Sequence, residues 1–154
     1  MIYLECYGDE ALVKALGVKS RDVKHAFSKG EVCNMLGKVT KSIGIVDEDP
    51  NSGKPLYEKR MLDRIVFKNP FLILCLDTDS QNKLVIIRPR LEKFIIQLAK
   101  DSDTHSDQIP SDTKRLYEYL TMRRNTQKFE FFKIFISEIL RKNETMRRLE
   151  DFLK

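Results

Sequence analysis

With 154 residues, 42% of them hydrophobic, the chain is long enough to bury the core of one globular domain, which excludes a disordered protein. It contains no apolar run of about 18 residues, so no membrane span is predicted. The net charge of +5, from 28 Lys and Arg against 23 Asp and Glu, is compatible with a nucleic-acid partner without requiring one.

Strand-like and helix-like segments alternate over the first 46 residues. Short apolar runs predict strands at residues 2–7, 23–27 and 42–46. The segment 9–18 predicts a helix with Asp9 as its N-cap and Gly17 as its stop. A second, short helix is expected to end near Gly37. This order predicts parallel pairing through right-handed crossovers, and hence an α/β fold with a mostly parallel central sheet.

The middle of the chain predicts a loop, a hairpin and a helix. Residues 49–55, "DPNSGKP", are dense in turn formers and predict a loop. The apolar runs 71–76 and 83–87 flank the turn-like "DTDSQN", which favours a β-hairpin. Pro89 then opens a helix whose apolar residues are spaced three and four apart.

The C-terminal third predicts helices after a polar linker at residues 101–112. Helical patterns cover residues 113–124, 127–142 and 144–153. Phe132, Phe135 and Ile139 follow helical spacing and are expected to be core residues. We therefore expect an α/β core at residues 1–100 and a helical segment, residues 101–154, packed on the same domain.

Cysteine and histidine content argues against a zinc site or a disulfide framework. Cys6, Cys33 and Cys75 are odd in number and widely spaced, which favours core thiols in a reducing cytoplasm. His25 and His105 are the only histidines and lie far apart in the sequence. The N-terminus lacks a basic lead and an apolar core, so a cytoplasmic location is expected.

Acidic residues follow two of the predicted parallel strands. Glu5 and Asp9 follow the first strand, and Asp47 and Asp49 end the third in "GIVDEDP". Ligands of open α/β sheets bind at the carboxyl ends of strands, so neighbouring strands would bring these acids into one cleft. Carboxylates that crowd together repel unless a cation neutralises them. Mg²⁺ (or Mn²⁺) fits because it takes oxygen ligands and retains waters that a phosphate can replace.

The same motifs resemble those of Toprim domains. "IYLECYGDEALVKAL" is similar to the first Toprim motif, a strand ending in glutamate with an acid four residues later. "SIGIVDEDP" is similar to the second, a strand ending in Asp-x-Asp, and "AFSKGEVCNML" lies between them as a glycine turn entering a helix. The resemblance covers residues 1–50 well and 70–100 loosely, where "IIRPRLEKFIIQLAK" resembles a helix of some Toprim-like defence proteins.

The resemblance implies a Toprim-type nuclease acting on DNA or RNA, with an antiviral or RNA-processing context. It implies that Glu5 is the general acid or base, that Asp47 and Asp49 are magnesium ligands, and that Asp9 is an accessory ligand. Glu48, between the two aspartates, is expected to point away from the site. Lys29, beside Gly30 near a helix N-terminus, and Lys54, in the 49–55 loop, are candidate substrate-binding residues.

Two other functions fit the sequence. The chain can be a catalytically silent interaction module whose helices dock on a larger protein, such as an ATPase, or on a second copy of itself. A response-regulator-like receiver would need a phosphorylatable aspartate such as Asp77. Asp77 and Asp79, however, lie in the predicted hairpin turn, where aspartate is favoured for its local backbone hydrogen bonds.

Overall fold

The secondary structure, given by a computed structural model that describes residues 1–121 and 125–154, is a six-stranded sheet with seven helices in the described ranges. The strands are β1 (Ile2–Leu4), β2 (Val23–His25), β3 (Ile43–Asp47), β4 (Ile65–Lys68), β5 (Leu72–Asp77) and β6 (Asn82–Ile87). The helices are α1 (Tyr7–Ala15), α2 (Lys29–Leu36), α3 (Leu56–Met61), α4 (Leu91–Asp101), α5 (Thr113–Leu120), α6 (Thr126–Lys142) and α7 (Glu144–Phe152).

The sheet has the strand order β2-β1-β3-β6-β5-β4. The pairs β2–β1, β1–β3 and β3–β6 are parallel, and β5 is antiparallel to both of its neighbours. The predicted α/β fold with a mostly parallel, Rossmann-like sheet is therefore confirmed. The predicted hairpin is also confirmed, as the pair β5–β6.

Helices cover both faces of the sheet. Successive side chains of a strand point to opposite faces, so each strand contributes apolar residues to both layers. One face, with Leu4 and Ile45, packs against α1, α4 and the C-terminal helices α5, α6 and α7. The other face, with Tyr3 and Val46, packs against α2 and α3. Phe132, which was expected in the core, is 1% exposed in the first of these layers.

The first strand ends, and the first helix begins, earlier in the chain than the sequence predicted. The strand expected over residues 2–7 ends at Leu4, and α1 begins at Tyr7 with Cys6 as its N-cap. The assignment of Asp9 as N-cap is therefore wrong. Asp9 lies inside the first turn of α1, and its Oδ2 accepts the backbone N–H of Cys6 at 3.2 Å, so it caps the helix from within.

Two elements were not predicted, and two helix ends differ. The short helix α3 and strand β4 have no counterpart in the prediction, because α3 has only six residues and β4 is exposed, with Val66 56% accessible. Helix α4 begins at Leu91, two residues after Pro89. Helix α5 ends at Leu120, and residues 122–124 of its predicted span lie outside the described residues.

Helix length and polarity also bear on membranes: among the described residues, none of the helices combines the length and the apolar character that a membrane crossing requires.

Gly44 in β3 lies where helix α2 approaches the sheet most closely. A Cβ at this position would lie 2.5 Å from Leu36 Cδ1 and 2.8 Å from Val32 Cγ1, and both side chains are buried. We therefore expect Gly44→Ala to lower the free energy of unfolding by about 1–3 kcal/mol, measured by urea denaturation. Gly53→Ala is the control, because a Cβ there meets no atom within 4 Å. Equal stability of the two variants would contradict the expectation.

Candidate functional site

The carboxyl ends of β1 and β3 bring Glu5 and Asp47 together. The two strands pair in parallel, with Leu4 opposite Ile45, so Glu5 and Asp47 emerge at the same edge of the sheet. Oε2 of Glu5 accepts the backbone N–H of Asp47 at 3.0 Å. The contact spans 42 positions of the sequence and fixes the first acidic motif against the second.

Asp9 completes a cluster of three carboxylates, which we call the acidic cluster (Glu5, Asp9 and Asp47). The side chain of Asp9 is 1% exposed, in the first turn of α1. Within the described part of the chain, Oδ1 of Asp9 and Oδ1 of Asp47 are buried without a hydrogen-bond partner. Buried polar atoms in folded proteins are nearly always paired, so these two carboxylate oxygens are candidates to hold a proton, a water or a cation.

Burial and mutual repulsion shift the protonation of this cluster. Burial, followed by the charges of Glu5 and Glu92, raises the pKa of Asp47 to about 7. Burial, followed by the charges of Asp47 and Glu5, raises the pKa of Asp9 well above its usual range. Asp47 and Asp9 therefore lose their protons at higher pH than carboxyl groups normally do. A carboxyl that titrates near pH 7 is suited to proton transfer.

Glu92 is a fourth acidic residue of this edge, and sequence reasoning missed it. It lies in the first turn of α4, and burial raises its pKa. Strand β6 pairs with β3, with Ile87 opposite Asp47, so the start of α4 is carried to the same edge. The signal was present in the sequence, since an acid follows the end of β6, but it becomes readable only when β6 is known to neighbour β3.

The remaining acids of "GIVDEDP" have their own cationic partners. Glu48 points away from the cluster, as expected, and its Oε2 accepts the Arg88 Nε–H at 2.8 Å. Asp49 pairs with Arg90 at 3.1 Å, on a backbone with φ of 42°. The structure thus brings Asp47 to Glu5 and Asp9, while the carboxylate of Asp49 is engaged by Arg90. The assignment of Asp49 as a metal ligand stays a prediction.

Of the two lysines proposed to bind substrate, one is buried and one is exposed. The ammonium of Lys29, a residue 8% exposed, donates to the Glu48 carbonyl at 2.7 Å and lies 3.6 Å from Glu58 Oε2. Lys29 therefore fastens the segment after β3 to helices α2 and α3. Glu58 was missed because α3 itself was not predicted. Lys54 is exposed in the 49–55 loop, which is free of helix and strand as predicted.

The second Asp-x-Asp lies far from the acidic cluster. Asp77 ends β5, which runs antiparallel to β3. Asp77 therefore lies at the opposite end of the strands from the acidic cluster. Its Oδ1 accepts the Asp79 N–H at 3.0 Å and pairs with Arg64. Both acids serve the hairpin turn, as expected, and the receiver hypothesis loses the aspartate it required.

The carboxylate oxygens of the acidic cluster are the type of ligand that a hard cation prefers, but they do not form a complete coordination shell. In the described residues, no group of three or more His, Cys, Asp and Glu side chains is arranged to hold a metal ion. Mg²⁺, however, is usually bound through one or two carboxylates, with waters and substrate phosphates as its other ligands. The unpaired oxygens of Asp9 and Asp47 are carboxylate ligands of this kind.

Comparison of the chain with known protein families, with curated proteins and with solved structures found no match.

The acidic cluster makes stability depend on pH with a defined sign. Because the pKa of Asp47 is raised on folding from about 3.9 to about 7, the folded protein keeps a proton that the unfolded chain releases. Stability is therefore greatest below about pH 4 for this group and falls as the pH rises towards 7, by at most about 1.4 kcal/mol per pH unit. We expect Asp47→Asn to flatten this decline and to be the more stable protein at pH 8, measured by urea denaturation.

Asp79→Asn is the matched control for this pH series, because the Asp79 side chain is 88% exposed in the hairpin turn. It should follow the wild-type profile throughout. Parallel profiles for Asp47→Asn and wild type would show that Asp47 does not hold a proton at neutral pH.

Proposed function

We propose that the protein is a divalent-metal-dependent phosphodiesterase of the Toprim type that cuts DNA or RNA. The observation that carries this proposal is the convergence of Glu5, Asp9 and Asp47, the first and last half-buried and Asp9 buried, at the carboxyl ends of parallel strands. Carboxylates brought together in this way destabilise a fold, and such groups concentrate at functional sites. The basic net charge of +5 is suited to a polyanionic substrate.

The residues of the cluster have distinct roles in this proposal. Asp47 and Asp9, through their unpaired oxygens, would hold Mg²⁺ or Mn²⁺, which when bound neutralises charge on the phosphodiester. Glu5 has one oxygen fixed by the Asp47 amide, which leaves its second oxygen for proton transfer. It would take a proton from the attacking water or give one to the leaving oxygen as the phosphorus–oxygen bond breaks.

A second candidate function is the catalytically silent module that docks on a larger partner. It is favoured by the ion pairs Glu48–Arg88 and Asp49–Arg90, which neutralise two of the three acids in the second motif. If the acids of that motif serve only to hold the loop in place, the chain would share the Toprim fold without the catalytic activity. The two functions differ in two measurable properties, which are metal binding by Asp47 and metal-dependent cutting of nucleic acid.

Nucleolytic activity tests the proposal directly. Purified protein is incubated with supercoiled plasmid, single-stranded DNA and RNA, in Mg²⁺, Mn²⁺ or EDTA. We expect cutting that requires metal and falls by about 100-fold or more in Glu5→Gln and in Asp47→Asn. Asp79→Asn is the control for loss of an acid elsewhere and should cut normally. Activity that survives in both cluster variants comes from a contaminant and would count against the proposal.

Metal binding can be measured without any substrate. At pH 8, where the cluster is most strongly repulsive, Mg²⁺ or Mn²⁺ should raise the melting temperature of wild type. At a concentration 100 times Kd the gain is about 2.7 kcal/mol. Asp47→Asn should show no gain, and Asp79→Asn should show the wild-type gain. A protein that neither binds metal nor cuts nucleic acid is the silent module.

A further inference from the structure

An exposed aromatic ring lies beside the acidic cluster. Phe27 lies two residues after the end of β2 and is 69% exposed. Its backbone has φ of 65°, in the left-handed region that bulky residues rarely adopt. Strained residues of this kind concentrate at functional sites, because folding alone gives no reason to keep them.

The ring of Phe27 belongs to a small aromatic stack. It lies nearly parallel to the His25 ring, with centroids 5.4 Å apart and an interplanar angle of 24°. Tyr7 meets it edge-on, with centroids 6.0 Å apart. The Nε2 of His25 in turn contacts the Glu10 carboxylate, which holds the imidazole in place. Since His25 supports one face of a ring that is mostly exposed, the opposite face is presented to solvent.

Sheet register gives the approximate backbone separation between Phe27 and the acidic cluster. Strand β2 pairs with β1, with His25 opposite Leu4, and the Ala26 N–H donates to the Leu4 carbonyl. Phe27 therefore lies near the carboxyl ends of the parallel strands, as Glu5 does. It is one strand away from Glu5 and two strands away from Asp47. Two strand spacings are about 10 Å. A phosphate at the cluster and a base on the Phe27 ring can therefore belong to one or two adjacent nucleotides.

Charge along this side of the molecule suits a nucleic-acid backbone. Lys19, Arg21 and Lys24 are all exposed, on the turn before β2 and on β2 itself. β2 is the outermost strand on this side of the sheet. Lys24 lies on it, and Lys19 and Arg21 precede it together with the exposed Asp22, so these four side chains carry a net charge of +2. Exposed basic residues beside an aromatic face are the combination that proteins use to bind single-stranded nucleic acid.

We propose that Phe27, supported by His25, is a stacking platform for an unpaired base, and that the substrate is therefore single-stranded or locally unpaired nucleic acid. This inference rests on the proposed nucleolytic function and specifies its substrate class. The base must leave its own stack to lie on the ring, which a paired base in a duplex cannot do without unpairing.

Binding is measured in the Asp47→Asn background, which removes one repelling carboxylate and prevents cutting. Labelled oligonucleotides of about 12 nucleotides, as single-stranded DNA, single-stranded RNA and blunt duplex DNA, are compared by fluorescence anisotropy at one salt concentration. We expect single strands to bind more tightly than duplex. Phe27→Ala and Phe27→Leu should bind them about 5- to 100-fold more weakly, since the loss is of aromatic stacking. The two single-stranded probes decide between DNA and RNA.

Two further variants protect the test against misfolding. Phe27→Gly removes the ring and suits the positive φ, so it should fold well and bind as weakly as Phe27→Ala. The chain contains no Trp, so Phe27→Trp introduces a single reporter, which should retain binding and lose fluorescence as a base stacks on it. Val66→Ala is the control, because Val66 is 56% exposed on β4 at the opposite edge of the sheet. It should bind like its parent.

The inference is overturned if folded Phe27→Gly binds single strands as tightly as its parent, if the parent binds no single strand, or if the indole fluorescence of the Phe27→Trp variant is unchanged at saturation. The nuclease proposal fails separately. If the wild-type protein cuts plasmid in the presence of metal while the Asp47→Asn parent binds no single strand, the enzyme stands and the platform falls. If binding depends on Phe27 but no metal supports cutting, the platform stands and the enzyme falls.

Discussion

The hydrogen bond from the Asp47 amide to Glu5 is the contact on which the site depends. It exists because two strand–helix crossovers place β1 between β2 and β3, so that residues far apart in sequence end at one edge of the sheet. The helix α1 then starts two residues after Glu5 and delivers Asp9 to the same place. A different strand order would separate Asp47 from Glu5 and Asp9.

Hydrogen bonds at both ends of helix α2 hold strand β3 in place. Asn82, buried at the start of β6, accepts the Ser42 N–H and donates to the carbonyls of Leu36 and Val39. It therefore pairs the last carbonyl group of α2 and a carbonyl of the loop that follows, and it fixes the start of β3 at the end of the strands opposite to the cluster. Lys29 makes the corresponding connection at the other end of α2. Helix α2 is thus fastened at both ends, and β3 is held in the register that the cluster requires.

The sequence was sufficient for the parts of the structure that follow from local pattern. Apolar runs with turn formers between them marked β1, β3 and the β5–β6 hairpin, and the strand–helix alternation implied parallel pairing around Glu5 and Asp47. Elements without a pattern were missed, since α3 has only six residues and β4 is an exposed edge. The contact of Lys29 with Glu58 depends on α3. The ion pair of Asp49 with Arg90 and the approach of Glu92 depend on β6 lying beside β3. No local feature specifies that insertion, so these contacts could not be derived.

Protons and a cation compete for the same oxygens at this edge. The burial that raises the pKa of Asp47 and Asp9 makes the cluster bind protons at neutral pH, and a divalent ion must displace them because ligating carboxylates are ionised. Its double positive charge would reverse the local pKa shifts. Metal affinity should then rise with pH through the region near 7 where Asp47 titrates, and bound metal should cancel the loss of stability at alkaline pH. The repulsion that weakens the isolated fold is therefore the same term that would favour a hard cation.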